Sequence, residues 1–155
     1  VCSLVGSEMC IRDSLNAYYE LLTHEDSSKR IEAAKAWSVW EGSTVKLIQN
    51  KALMEHSSDA QFAEAFSRIE CHYFTNNGWF DTDNYLIENV DKIRHIPAVI
   101  VHGRYDVVCP VENAWELHKA WPESDLHIIP DSGHAMSEEG IKNKLIEYTD
   151  KFLKL

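Results

Sequence analysis

The sequence predicts an α/β chain in which two parallel strands, each followed by a helix, come after a helical stretch. Three observations carry this. The β-branched run Val99-Ile100-Val101 and the run Leu126-His127-Ile128-Ile129 each end in a turn. Each run is followed by an amphipathic segment of helical length. Upstream of Ile96 the apolar residues recur at helical rather than strand spacing. Strand–helix–strand–helix is the unit of a parallel sheet, because parallel neighbours need a crossover.

The elements follow in order. Residues 1–14, VCSLVGSEMCIRDS, show no sustained period and no initiator Met, and read as a truncated or misjoined N-terminus. From Leu15 the pattern is helical, with Leu15, Tyr18, Tyr19 and Leu22 at helical spacing. Asp26, Ser27 and Ser28 offer N-cap oxygens to a second helix that runs to Trp40 and Glu41 and stops near Gly42. A third helix is expected over 59–74, with Phe62, Phe66, Ile69 and Tyr73 on its apolar face. Asn76-Asn77-Gly78 breaks it, and a short helical piece follows over 85–90. Pro97 opens the first strand, which reads as buried on both faces. A helix over 111–121 follows Cys109-Pro110 and is ended by Pro122. The second strand covers 126–129, and a last helix carries Ile141, Leu145, Tyr148 and Phe152 on one face. Two strands do not make a stable open sheet alone, so further strands are expected upstream of residue 1.

Composition narrows the function classes. With 155 residues, 45% of them hydrophobic and five Trp, the chain can build a real core and is not a disordered tail. A net charge of −10 excludes nucleic acid and anionic membrane as expected partners, since phosphate contact needs basic patches. Cys2, Cys10, Cys71 and Cys109 have no C-x-x-C spacing and no paired His pattern. No metal site or disulfide framework is indicated, and reduced thiols in a cytoplasmic protein are expected. No apolar run approaches the roughly 20 residues of a membrane span, and residues 1–10 are too short and too weakly apolar for a signal peptide.

The chemistry concentrates after the two strands. Asp106 follows the first and His134, in Ser132-Gly133-His134, follows the second, 28 positions later. Catalytic groups of parallel sheets gather at the carboxyl ends of strands. A carboxylate there can fix the tautomer of an imidazole and stabilise its cation, and the imidazole can act as general base and then general acid. This is the acid–base half of a Ser…Asp…His hydrolase in chain order, yet no G-x-S-x-G occurs in the 155 residues. Glu41 shares a helix face with Ala34 and Trp37, and Glu70 lies at the margin of the stripe containing Phe66 and Tyr73. Buried carboxylates beside aromatic rings suggest a pocket for a cation, such as an amino terminus; the bland alternative is a helix-end salt bridge. Cys109, three residues after Asp106, lies near the site either as a reactive or as a structural thiol. Tyr73, Phe74, Trp79 and Phe80 either wall a substrate pocket or fill the core.

Several separate motifs now stand in order: Ala36-Trp37-Ser38-Val39-Trp40-Glu41, Arg68-Ile69-Glu70-Cys71-His72-Tyr73-Phe74, His102-Gly103-Arg104-Tyr105-Asp106-Val107-Val108-Cys109-Pro110, Trp115-Glu116-Leu117-His118-Lys119-Ala120-Trp121-Pro122 and Ser132-Gly133-His134. From about Leu15 to the C-terminus the chain resembles the proline iminopeptidases (prolyl aminopeptidases), serine peptidases of the α/β-hydrolase fold. The resemblance implies the C-terminal part of that fold: residues 15–90 as the latter part of a helical lid and 91–155 as the last two parallel strands and helices of the core. It implies Asp106 as triad acid and His134 as triad base. Glu41 and Glu70 would hold the substrate's free amino group, and Cys109 would lie near the active site without being the nucleophile. It implies removal of N-terminal proline from peptides, with no metal or organic cofactor. The serine lies upstream in that family, so this chain alone is expected to be inactive.

Two rivals remain. Another α/β-hydrolase, such as an esterase, keeps the fold and changes the substrate. Glu41 and Glu70 discriminate against it, because an ester gives no reason for an amine clamp. A noncatalytic hydrolase-like binding module fits the missing serine.

Overall fold

In the computed structural model of the chain, residues 7–154 are described, with side chains from Asp13 onward. Of the segment 1–14 singled out above, residues 1–6 lie outside the described residues, as do Cys2 and the Cys10 side chain. The chain forms two compact units. One comprises Val1–Gly42 and Lys51–Asp81, the other Ser43–Asn50 and Thr82–Leu155.

The first unit is helical: α1 (Ser7–Leu22), α2 (Ser27–Thr44), α3 (Lys51–Ser57) and α4 (Ala60–Thr75). Helix α1 begins well before Leu15, where the periodicity first becomes legible, and α2 runs two residues past Gly42. The Asp26 carboxylate accepts from the Ser28 N–H at 2.8 Å, one of the orphan donors of a helix start. Asp59 caps α4 in the same way, accepting from the Phe62 N–H at 2.9 Å.

The expected apolar face of α4 is buried only in part: Phe62 and Phe66 are half-buried, with Phe66 packed against the core. Ile69 and Tyr73 are 62% and 54% exposed, whereas Ala63, Ser67 and Cys71 are fully buried. The reason is steric. The core stripe is made of small residues, and Ala63 clusters with Ala33 and Ala34 of α2. The Ser67 hydroxyl donates to the Ala34 carbonyl at 3.0 Å, which requires close backbones. Leu22, 1% exposed, anchors α1 in this core; burying a leucine contributes about 1.5–3 kcal/mol. Arg30 ties the α1–α2 connection down, donating to Glu64 at 2.9 Å and to the carbonyls of His24 and Glu25. After α4 the backbone turns left-handed at Asn77, Gly78 and Trp79, with φ of 50°, 60° and 59°. That breaks the helix and sets the Trp79 ring 5.0 Å from Tyr73.

The second unit holds α5 (Tyr85–Glu88), β1 (Val99–Gly103), α6 (Val111–Ala120), β2 (Asp125–Ile129) and α7 (Glu139–Phe152). Strands β1 and β2 pair in parallel, from Val99 opposite Asp125 to Gly103 opposite Ile129. Helix α6 is the crossover that parallel pairing requires. Residues 99–102 are only half-buried, not buried on both faces as the apolar run suggests. Among the described residues β1 has β2 as its one strand neighbour, so its sheet covers it from one side.

Candidate active site

Gly103 ends β1 and Ile129, its register partner, ends β2. The turns that follow are sewn together through the main chain. The Arg104 N–H donates to the Ile129 carbonyl at 2.8 Å and the Tyr105 N–H to the Ser132 carbonyl at 3.0 Å. The approach is close enough that a Cβ on Gly103 would stand 1.9 Å from the Gly133 carbonyl oxygen, so only glycine fits.

This stitching brings Asp106 to His134. Asp106 Oδ1 accepts from the N–H groups of Val108 and Cys109 at 2.9 and 2.8 Å, a side-chain-closed turn. Its Oδ2 accepts from His134 Nδ1 at 2.9 Å. The Asp106 side chain is 4% exposed and that of His134 38%. A carboxylate only accepts, so Nδ1 carries the proton and the neutral ring presents Nε2 as its acceptor. The arrangement is a buried carboxylate orienting a more open imidazole.

Three further groups hold this corner. The His134 and Ala135 N–H groups both donate to the Val45 carbonyl, at 3.1 and 2.7 Å. Glu138 accepts from the Gly133 N–H at 2.8 Å through one oxygen and from the Leu47 N–H at 3.2 Å through the other. His102 Nε2 donates to the Cys109 carbonyl at 2.9 Å and lies 3.6 Å from Asp106 Oδ2. Sequence reasoning missed all three. Glu138 reads as an ordinary acid at a helix start, and its partner Leu47 is 91 residues away. Cys109 itself is exposed, beside Asp106 through its own N–H.

Glu41, Glu70 and Tyr73 belong to the helical unit. Glu41 is 8% exposed. One turn before it, Trp37 donates its indole N–H to Glu70 Oε2 at 2.6 Å. Trp37 is itself boxed by Tyr18, edge-on at 5.1 Å, and by Phe74 at 6.2 Å. Tyr73 is half exposed rather than packed in the core. A cavity of about 440 Å³ in this unit is lined by Tyr19, Leu22, Arg68, Ile69, Cys71 and His72, among others, and includes none of the three. Burial, then the nearby Glu70 charge, push the Cys71 thiol above its ordinary value. Among the described residues no group of three or more His, Cys, Asp or Glu is placed to hold a metal ion. No helix among them is long and apolar enough to cross a membrane.

Residues 13–141 match the model of the family described as the alpha/beta hydrolase fold. This chain belongs to that family. Within it, the chain is 57% identical over 141 residues to a probable proline iminopeptidase of Leptolyngbya boryana, covering 91% of this chain and 44% of that protein. It is 49% identical to the proline iminopeptidase of Xanthomonas citri, over 90% of this chain and 45% of the relative. For the proline iminopeptidase of Arabidopsis thaliana the figures are 47% identity, 88% and 36%. The resemblance carried by the motifs is thus borne out, and the chain spans less than half the length of these relatives. An esterase from Exiguobacterium antarcticum is similar in fold, with a TM-score of 0.57 at 21% identity over 93% of this chain and 48% of its own. The fold class read from the sequence, the latter part of an α/β hydrolase, agrees with both.

Proposed function

We propose that this chain is the acid- and base-bearing portion of a serine aminopeptidase that releases N-terminal proline from peptides. The observation that carries the reading is the 2.9 Å contact of His134 Nδ1 with Asp106 Oδ2 in a chain whose relatives are proline iminopeptidases. Residues 15–90 are read as the latter part of the lid and 91–155 as the end of the core.

In this reading His134 Nε2 takes the proton of a serine supplied by the preceding part of the protein as the serine attacks the scissile carbonyl. The imidazolium, stabilised by Asp106, then gives that proton to the leaving amine. Water, deprotonated by the same nitrogen, releases proline from the acyl-enzyme. The prolyl nitrogen is a secondary ammonium, and Glu41 and Glu70 neutralise it. A charge clamp on the substrate's amino group makes the enzyme count from the amino end. Tyr73 is read as a substrate-binding residue of the helical unit and Cys109 as a residue beside the Asp106–His134 pair. The chemistry is proton transfer and acyl transfer throughout, which needs no metal or organic cofactor. A buried Cys71 thiol suits a reducing cytoplasm.

The test joins residues 15–155 to the part of the Leptolyngbya relative that this chain does not match. The fusion should hydrolyse a proline-terminated chromogenic amide, and residues 1–155 alone should not. Glu41→Gln or Glu70→Gln in the fusion should lower kcat/KM roughly ten- to a hundredfold on the free amine, since hydrogen bonds to charged groups contribute about 1.5–3 kcal/mol. The loss should be much smaller on an amino-blocked substrate. Equal losses on both would mean the carboxylates hold the lid together rather than read the amine.

A further inference from the structure

The Asp106 turn has one tie that the proposed chemistry does not use. His102 lies in β1, and its side chain is 14% exposed. Its Nε2 meets the Cys109 carbonyl at 2.9 Å, seven residues along the chain. A carbonyl oxygen can only accept, so Nε2 carries a proton and donates it. Cys109 is thereby gripped at both ends: its N–H by Asp106 Oδ1 at 2.8 Å and its C=O by His102. The same Nε2 stands 3.6 Å from Asp106 Oδ2, the oxygen that faces His134. The loop from Gly103 to Cys109 therefore closes on the His102 ring as well as on the Asp106 carboxylate.

We infer that His102 is a positioning residue for the Asp106–His134 pair: through the Cys109 carbonyl it holds the turn that aims Oδ2 of Asp106 at Nδ1 of His134. The inference rests on the reading of that pair as acid and base. Without the tie, the Cys109 carbonyl loses the His102 donor and the position of the Cys109 N–H on Oδ1 of Asp106 is less tightly set. The carboxylate is then free to rotate, and the direction of Oδ2 is no longer set. Main-chain bonds from Arg104 and Tyr105 tie the near end of the turn to the chain after β2, and the His102 bond ties its far end at Cys109.

The test is imidazole nitrogen and proton NMR on the full 155-residue chain under alkaline conditions, where the rings are neutral. The wild type should show His134 as the Nδ1–H tautomer with a downfield, exchange-protected proton. His102→Phe keeps a ring and removes the donor; His102→Ala removes both and leaves space. Both should lose the downfield resonance, and His134 should revert to a mixture of tautomers. His102→Gln, which places an N–H donor near the same point, should restore it. Retention of the resonance in either donor-less variant would overturn the inference. So would its absence from His102→Gln, because a donor at that place would then be irrelevant. A wild-type chain that lacks the resonance removes the pairing itself and the positioning role with it. A fused enzyme that fails on prolyl substrates while this NMR pattern holds would sink the substrate reading and leave His102 in place.

Discussion

The carboxylates of Asp106 and Glu70 are both held by hydrogen bonds, but by donors of different kinds. Asp106 sits in a turn and takes two main-chain N–H groups on one oxygen. Glu70 sits in a helix, where main-chain N–H groups are consumed within the helix, and takes the indole N–H of Trp37. Main-chain donors are present whatever the side chains of Val108 and Cys109, so the Asp106 turn tolerates their replacement. The bond from Trp37 to Glu70 depends on the residue type at one position of another helix. The strand-bearing unit thus holds one oxygen of its carboxylate by main-chain donors, with the His102 side chain bracing the same turn, whereas the Glu70 carboxylate takes a side-chain donor from another helix.

The largest effect expected from this contrast is at Asp106. Asp106→Asn keeps an oxygen for the Val108 and Cys109 N–H groups, so the turn should survive. Its amide nitrogen would face His134 Nδ1 and drive the imidazole proton to Nε2, the wrong tautomer for a base. In the fused enzyme kcat should fall about 10⁴-fold, the scale seen when a triad acid becomes its amide, with little change in thermal midpoint. A drop of less than tenfold would show that the acid is not in use.

Trp37→Phe should act more weakly and on different observables. It keeps the ring against Tyr18 and Phe74 and removes only the donor to Glu70. Losing a hydrogen bond to a charged group costs about 1.5–3 kcal/mol. We expect a lower thermal midpoint for the 155-residue chain and, in the fused enzyme, a loss on free-amine substrates of roughly ten- to a hundredfold in kcat/KM. Replacing Val108 by Ala, by contrast, should leave kcat within a few-fold. Equal sensitivity at the two sites would erase the distinction between them.

The smallest effect belongs to a side-chain-held carboxylate on the open surface. Hydrogen bonds from Lys144 and Lys151 hold Glu147 down at about 2, against an ordinary 4.5. A depressed carboxyl pKa contributes stability that is complete above the unfolded value and is lost as pH falls through the folded one. Denaturant midpoints of wild type and Glu147→Gln should therefore differ modestly at neutral pH and converge between pH 4.5 and about 2. Parallel midpoints across that window would show that the two lysines do not act on this group.

Much of the strand-bearing unit is legible because its sequence is punctuated. Pro110 and Pro122 bracket α6, and β-branched residues mark β1, so these elements fall within a residue or two of expectation. The approach of Asp106 to His134 follows from the same logic, since each lies just beyond one of two neighbouring parallel strands. The helical unit is less legible. Aromatic residues dominate the periodicity of α4, but close helix packing selects Ala63, Ser67 and Cys71. Helix α3 has no clear apolar period over its seven residues. Of the site, His102 is hidden because its role lies in a backbone carbonyl seven positions on, and Glu138 because it bridges two stretches of chain far apart in sequence.

The Val45 carbonyl that receives the His134 and Ala135 N–H groups lies in an eight-residue stretch, Ser43–Asn50, that starts in the last residues of α2 and is flanked in sequence by the other unit on both sides. The chain crosses between units after Gly42, Asn50 and Asp81, so the helical unit is not a cassette. A chimera that exchanged residues 15–81 wholesale, in search of a new specificity, would also discard the acceptor of the His134 and Ala135 N–H groups and the Leu47 N–H held by Glu138. Grafts that retain 43–50 from the host should keep the His134 corner intact. Modularity here follows the hydrogen bonds rather than the order of residues along the chain.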